Sequence, residues 1–222
     1  MRFVTARQMQ RIDRRAQEEF GIPEGILMEH AGTEVARVAR RYLERDRRRK
    51  GTILIAAGGG ANGGDGFVAA RHLDNWGYPV EVLLVADPAR VRGAALTNLK
   101  ILRKLNVPIR RMGTLASWSE WLRKRHTIRL MIDALLGTGI SGWVRQPHQT
   151  IIEWLNRQSV PIVAVDLPSG LSADTGFPCG VAVKATATVT CGLPKVGLIQ
   201  GRGPYFSGRV TLADISLPKA LR

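Results

Sequence analysis

Residues 53–66 read ILIAAGGGANGGDG. The apolar run Ile53 to Ala57 feeds into glycines, and a helix-like segment from Phe67 to Trp76 follows. A buried strand, a glycine loop and a helix N-terminus together form a backbone site for phosphate, because glycines let the main chain approach a ligand closely. Asn62 and Asp65 add two polar side chains in the same place. Two further strand-like runs end in an aspartate and a glycine-bearing loop. Asp133 opens DALLGTG at 133–139, and Asp166 lies in VDLPSG at 165–170 with Ser169. A carboxylate in such a cleft can serve as a general acid or base. Amide, carboxylate and hydroxyl oxygens from Asn62, Asp133 and Ser169 suit a hard cation. Lys195, in GLPKVG at 192–197, follows a strand and can meet a phosphate; an exposed loop lysine is the equal alternative.

Gly58, Gly60 and Gly63 satisfy the G-x-G-x-x-G pattern of dinucleotide-binding turns. The matching ribose acid would stand about 20 residues on, and Asp87, at the end of the second strand, lies beyond that spacing. A pyrophosphate turn also has no need of Asn62 and Asp65. His30, on the second helix, reads as structural. Cys179 and Cys191 show neither metal-ligand spacing nor the partners of a catalytic thiol.

The elements that must carry these groups follow from periodicity. Thr5 is a helix N-cap with Gln8 completing a capping box, and Met9, Ile12, Ala16 and Phe20 share one face before Gly21. A second helix is expected over 25–43, with Met28, Ala31, Val35, Val38 and Tyr42 as its apolar stripe. Strands are expected at 52–57, 80–85, 129–134, 162–165, 182–190 and 209–214, and helices at 64–76, 90–105, 117–124 and 149–157. The early strands are continuous apolar runs, as in sheets covered on both faces. Such alternation predicts a mostly parallel central sheet in a three-layer α/β/α sandwich, here one domain over 1–222. Ligands bind beyond the carboxyl ends of such strands, so the three polar loops should converge on one rim.

At 222 residues and 45% hydrophobic, the chain can build a sizeable core. No apolar run approaches the roughly 20 residues that span a bilayer, and the N-terminus lacks the apolar core of a secretory signal. Two cysteines do not make a disulfide framework, so a cytoplasmic location is expected. The net charge of +15 is scattered apart from a dense basic run at 45–50. No aromatic residues interleave that run to stack bases, so a solvated turn is expected there.

These motifs, in this order, resemble the NAD(P)H-hydrate epimerase family, also called the YjeF N-terminal domain. The resemblance rests on Arg11-Ile12-Asp13, LMEHAG at 27–32, GGGANGGDG at 58–66, DALLGTG, VDLPSG and LPKVGL at 193–198. It implies a Rossmann-like fold, commonly dimeric, and an isomerase that interconverts the R and S epimers of hydrated NADH and NADPH. A separate dehydratase would act on the product, and no membrane or nucleic-acid partner is implied. It also implies a bound potassium ion, with Asn62, Asp133 and Ser169 at the ion-binding positions. The substrate positions would be Ala61, Asn62, Gly63, Gly64, Asp65, then Gly137, Thr138, Gly139, Ile140, Ser141, Gly142 and Trp143, and Asp166. Three positions depart from the family pattern. Ala61 replaces the first of two asparagines, His30 replaces an asparagine, and the nearest arginine after Gly139 is Arg145.

The epimerising carbon bears a hydroxyl beside the ring nitrogen. Its configuration is lost by departure of the hydroxyl or by ring opening, and either route needs a proton delivered and later removed. Asp133 is the expected acid/base, with Asp65 and Asp166 positioning the substrate. The alternative is a non-catalytic nucleotide- or RNA-binding domain on the same fold, which the charge of +15 would suit. A dehydrogenase fits less well, lacking the ribose acid. Titration with RNA at rising salt separates the first two. The epimerase reading expects no binding at physiological salt, whereas affinity there that falls steeply with ionic strength favours the alternative.

Overall fold

In β1 (Thr52–Ala57) the side chains alternate between two cores. Ile53, Ile55 and Ala57 join one and Leu54 and Ala56 the other. β4 (Ile128–Ala134) does the same, with Leu130, Ile132 and Ala134 against Met131. A strand buried on both faces needs a helical layer on each, and the computed structural model of the chain supplies them. It describes residues 2–46, 50–112, 114–123, 127–140 and 142–222. On one face lie α1 (Ala6–Glu18), α2 (Glu24–Arg45), α3 (Ala61–Asn75) and α4 (Gly93–Lys104). On the other lie α5 (Leu115–Leu122) and α6 (His148–Asn156).

The remaining strands are β2 (Val80–Leu84), β3 (Ile109–Arg111), β5 (Ile162–Val165), β6 (Ala187–Cys191) and β7 (Arg209–Ala213), and a short α7 (Gly203–Ser207) precedes β7. The sheet has seven strands in the order β3-β2-β1-β4-β5-β6-β7, and every pairing is parallel. The chain winds outward from β1 in one direction and from β4 in the other. The crevice between β1 and β4 is therefore the topological switch point where such sheets bind ligands.

The α1 capping box forms as expected: Gln8 N–H donates to Thr5 Oγ1 and Thr5 N–H to Gln8 Oε1. Four expectations need correcting. α1 ends at Glu18, so Phe20 leaves the buried stripe and is exposed. The strand expected at 182–190 pairs only from Ala187, because the loop after β5 and the helices α6 and α7 take the earlier backbone donors: Val183 N–H binds Ser169 O, Lys184 N–H binds Asn156 Oδ1 and Ala185 N–H binds Phe206 O. β3 was not expected; its sequence, IRR, carries no apolar run. Most consequentially, α3 begins at Ala61, three residues before the expected start, so NGGD is helix rather than loop. Gly64 N–H closes that first turn on Gly60 O at 3.0 Å. Residues 47–49 of the basic run and 124 of the expected fifth helix lie outside the described residues. Among the described residues no helix is long and apolar enough to cross a membrane.

α2 and α3 cross closely at Gly32, where a Cβ would lie 2.4 Å from Val68 Cβ and 2.5 Å from Asp65 O. Gly32→Ala should therefore cost about 1–3 kcal/mol by overpacking, read as a lowered denaturation midpoint, with loss of any ligand affinity that depends on the α3 N-terminus.

Candidate functional site

A cavity of about 920 Å³ opens at the switch point. The β1–α3 turn contributes Gly58 to Asn62 and Asp65, and the segment after β4 contributes Leu135 to Ile140, Trp143 and Arg145. Asp166 follows β5, while Cys191 and Lys195 follow β6. The opposite wall comes from Met9, Gln10, Asp13 and Gln17 of α1 and from Glu24 and Leu27 of α2.

Of the expected substrate residues, Ala61, Asn62, Asp65, Gly137, Thr138, Gly139, Ile140, Trp143 and Asp166 line this cavity. Gly63 and Gly64 lie behind it. A Cβ on Gly63 would meet Gly58 O at 2.0 Å, and one on Gly64 would meet Met28 Cε at 2.5 Å. They permit close packing rather than ligand contact. Gly142 is an exposed left-handed turn residue (φ 74°) off the wall, and Ser141 lies outside the described residues. Trp143 is 80% exposed, its ring lying against Gly180, where a Cβ would come within 2.7 Å. The first N–H groups of α3 have no intrahelical partner, and Gly60 caps the helix without a side chain. That end of the cavity suits an anion.

Asp133 does not line the cavity. It is wholly buried and commits both carboxylate oxygens: Oδ1 accepts from Ser169 Oγ at 2.5 Å and Leu135 N–H at 3.3 Å, Oδ2 from Ser169 N–H at 2.7 Å. Burial pushes its pKa from 3.8 up to about 6 despite these bonds. The expectation that Asp133 exchanges protons with a substrate does not fit this placement, which separates it from the cavity and occupies its acceptors. It instead holds the loop after β5 to the loop after β4, an arrangement completed by Leu136 N–H donating to Ser169 Oγ at 2.9 Å. Next in sequence, Gly137 packs on the Asn62 side chain, whose buried Nδ2 has no hydrogen-bond partner. Asn62, Asp133 and Ser169 thus gather around one turn of chain.

The other carboxyls surround Lys195. This lysine is 1% exposed, so it is neither an exposed loop residue nor a free phosphate ligand. Its Nζ pairs with Asp166 Oδ1 and donates to Cys191 O at 2.8 Å. Asp166 has a left-handed backbone (φ 62°) and also accepts from Cys191 N–H at 3.0 Å. Asp13, which sequence reasoning did not place in the site, is brought in by the docking of α1. Val4 forms a parallel bridge to Lys195, with Val4 N–H on Pro194 O and Val196 N–H on Val4 O. The signal for Asp13 was a charged residue four positions after Met9, on a stripe otherwise buried. Burial raises Asp13 from 3.8 to about 6, Lys195 pulling it down and Asp166 pushing it up. Burial also lifts Asp65 well above its ordinary value, and the Asp166 charge adds to this. Among the described residues neither carboxyl has a hydrogen-bond partner, in contrast to Asp133 and Asp166.

His30 is exposed, off the cavity, with Nδ1 3.1 Å from Ser216 Oγ, which fits a structural role. Burial raises the Cys191 thiol well above its ordinary value, so no thiolate nucleophile is available there.

The pattern of the family described as YjeF-related protein N-terminus matches residues 24–197. The chain is 41% identical over its whole length to a bifunctional NAD(P)H-hydrate repair enzyme of Moorella thermoacetica, of which the match covers 42%. It is 35% identical to an NAD(P)H-hydrate epimerase of Weissella koreensis, covering 96% of this chain and 91% of the relative. The chain therefore spans about two-fifths of the bifunctional relatives it matches but nearly all of the stand-alone one. The crystal structure of yeast ynu0 superposes with a TM-score of 0.79 at 27% identity, covering 96% of this chain and 87% of that one.

Asp13 also carries a stability signature. Its folded pKa of about 6 lies above the ordinary 3.8, so between those values the native state holds the proton that the unfolded chain has lost. Its contribution is full below pH 3.8 and is lost as pH rises through 6. Asp13→Asn should raise the melting temperature at pH 8, by about 1–3 kcal/mol of stability, and leave it unchanged near pH 3.5. Thermal unfolding at both pH values checks this.

Proposed function

The chain belongs to the family of YjeF-related protein N-termini, and on that premise we propose that it is an enzyme that interconverts the R and S epimers of hydrated NADH and NADPH. One observation carries the reading: a cavity of about 920 Å³ joins the uncapped N-terminus of α3 to a cluster of carboxyls around one buried lysine. The first feature suits the phosphates of a dinucleotide and the second suits proton exchange on its damaged ring. The relative named as an epimerase matches nearly the whole chain, which supports the same reading.

In this assignment the backbone of Ala61 and Asn62, with the turn from Gly137 to Ile140, holds phosphate. Trp143 offers an exposed ring face at the cavity mouth, where a base or nicotinamide ring can stack. Asp166, held by Lys195 and Cys191 N–H, positions polar groups of the substrate. Arg145 lines the cavity where the family pattern has an earlier arginine.

The residues at the ion-binding positions fit a potassium ion. Asp133 is a buried carboxylate with no cationic partner among the described residues, and the Asn62 side chain packs on Gly137, next to the Leu136 N–H that Ser169 Oγ accepts from. Asn62, Asp133 and Ser169 would hold the ion through oxygen. It would offset the Asp133 charge and fix the turn against which Gly137 and Asn62 pack. Asp133 is then a holding residue and not the proton carrier. A dehydratase acting on the product, a homodimer and a cytoplasmic location complete the proposal.

Incubation of the chain with a single epimer of hydrated NADPH, followed by chromatography, tests it. Conversion well above the spontaneous rate is expected, faster in potassium than in tetramethylammonium buffer. Ser169→Ala should raise the potassium concentration required about 10–100-fold. A rate equal to that in buffer alone sinks the proposal.

A further inference from the structure

An epimerase runs in both directions at one carbon, so each turnover gives one proton and takes one back. Two carboxyls holding a single proton between them meet that need, because the pair begins and ends every turnover with one proton. Such groups must face the substrate and be free of fixed partners. Asp133 fails on both counts. Asp166 fails on the second, tied to Lys195 and Cys191 N–H. Two aspartates on the cavity wall remain: Asp65 from α3 and Asp13 from α1.

We infer that Asp13 is a catalytic residue that works with Asp65 as the proton-exchanging pair, an inference that rests on the epimerase reading above. Whichever member is protonated gives its proton to the hydroxyl oxygen on the ring carbon beside nitrogen. The carbon–oxygen bond breaks, its electron pair leaves on water, and the nitrogen lone pair forms a carbon–nitrogen double bond. Water then adds to the other face of that carbon, and the double-bond pair returns to nitrogen. The proton released by the added water goes to the second carboxylate. The proton has moved from one member to the other, and the reverse turnover starts from that state. No redox partner is needed.

The surroundings suit one shared proton. The other charged or titratable groups on the wall of this cavity are Asp166 after β5, Cys191 at the end of β6, Lys195 after it, Glu24 at the start of α2, and Arg145 and His148 after β4. The buried cation, Lys195, is already paired with Asp166. Burial lets both Asp13 and Asp65 keep a proton to higher pH than usual, Asp13 to about 6, and the Asp166 charge adds to each.

The test uses the whole chain with each epimer as substrate. Asp13→Asn should lower kcat about 10²–10⁴-fold in both directions, leave KM little changed and abolish the limb of the kcat/KM profile near pH 6. Asp13→Glu, which keeps the ionisable group, should recover part of kcat and restore that limb. Wild-type turnover with undiminished Asp13→Asn turnover overturns the assignment alone, as does a loss confined to KM or a pH limb that survives the substitution. Absence of wild-type turnover overturns the epimerase reading and the assignment with it.

Discussion

The contact on which the site depends is the buried pair of Lys195 and Asp166. Parallel strands deliver all their carboxyl ends to one rim, so the aspartates after β4 and β5 and the one on α3 gather where desolvation is severe. Lys195 is the one buried lysine or arginine among the described residues. Leaving a buried charge without its partner costs about 3–5 kcal/mol, more than any single hydrogen bond around the cavity supplies. The pair also fixes the left-handed turn at Asp166 and ties the end of β5 to the loop after β6.

One buried cation among several carboxyls forces a division of labour. Asp166 takes the lysine. Asp133 takes three hydrogen bonds, two from Ser169 and one from Leu135 N–H. Asp13 and Asp65 receive neither, and burial, with the nearby Asp166 charge, leaves them with raised affinity for protons. The four residues are chemically identical in sequence, and their roles follow from which partners each one reaches.

The docking of α1 brings this about. Its N-terminus is pinned by a backbone bridge to Lys195 and by Ala6 N–H on Asp174 Oδ1 at 2.7 Å. Met9, Ile12 and Ala16 bury its lower face. The helix is thus registered on the same loop that carries the lysine, and Asp13, one residue after Ile12, falls on the cavity wall. A helix that precedes the first strand and adds nothing to the sheet completes the site.

Much was legible in the sequence because it depends on near neighbours. Apolar runs with breakers or polar residues at their ends gave β1 and β5 at the observed bounds, Thr5 and Gln8 announced their capping box, and polar loops after β1, β4 and β5 marked the binding rim. Local pattern failed where a distant group intervened. Residues 182–186 look like strand, but the loop after β5 and the helices α6 and α7 claim the backbone donors of 183–185. The glycine loop proved to be a helix turn because Gly63 and Gly64 pack against Gly58 and Met28. Residue types and order alone determined the parallel fold, the rim and the kind of chemistry there. Only tertiary structure decided which carboxyl holds and which exchanges a proton. Asp133 lies 36 residues from Ser169 and Asp166 lies 29 from Lys195, and a carboxyl's affinity for protons is set by such through-space neighbours and by burial, not by adjacent residues in the chain.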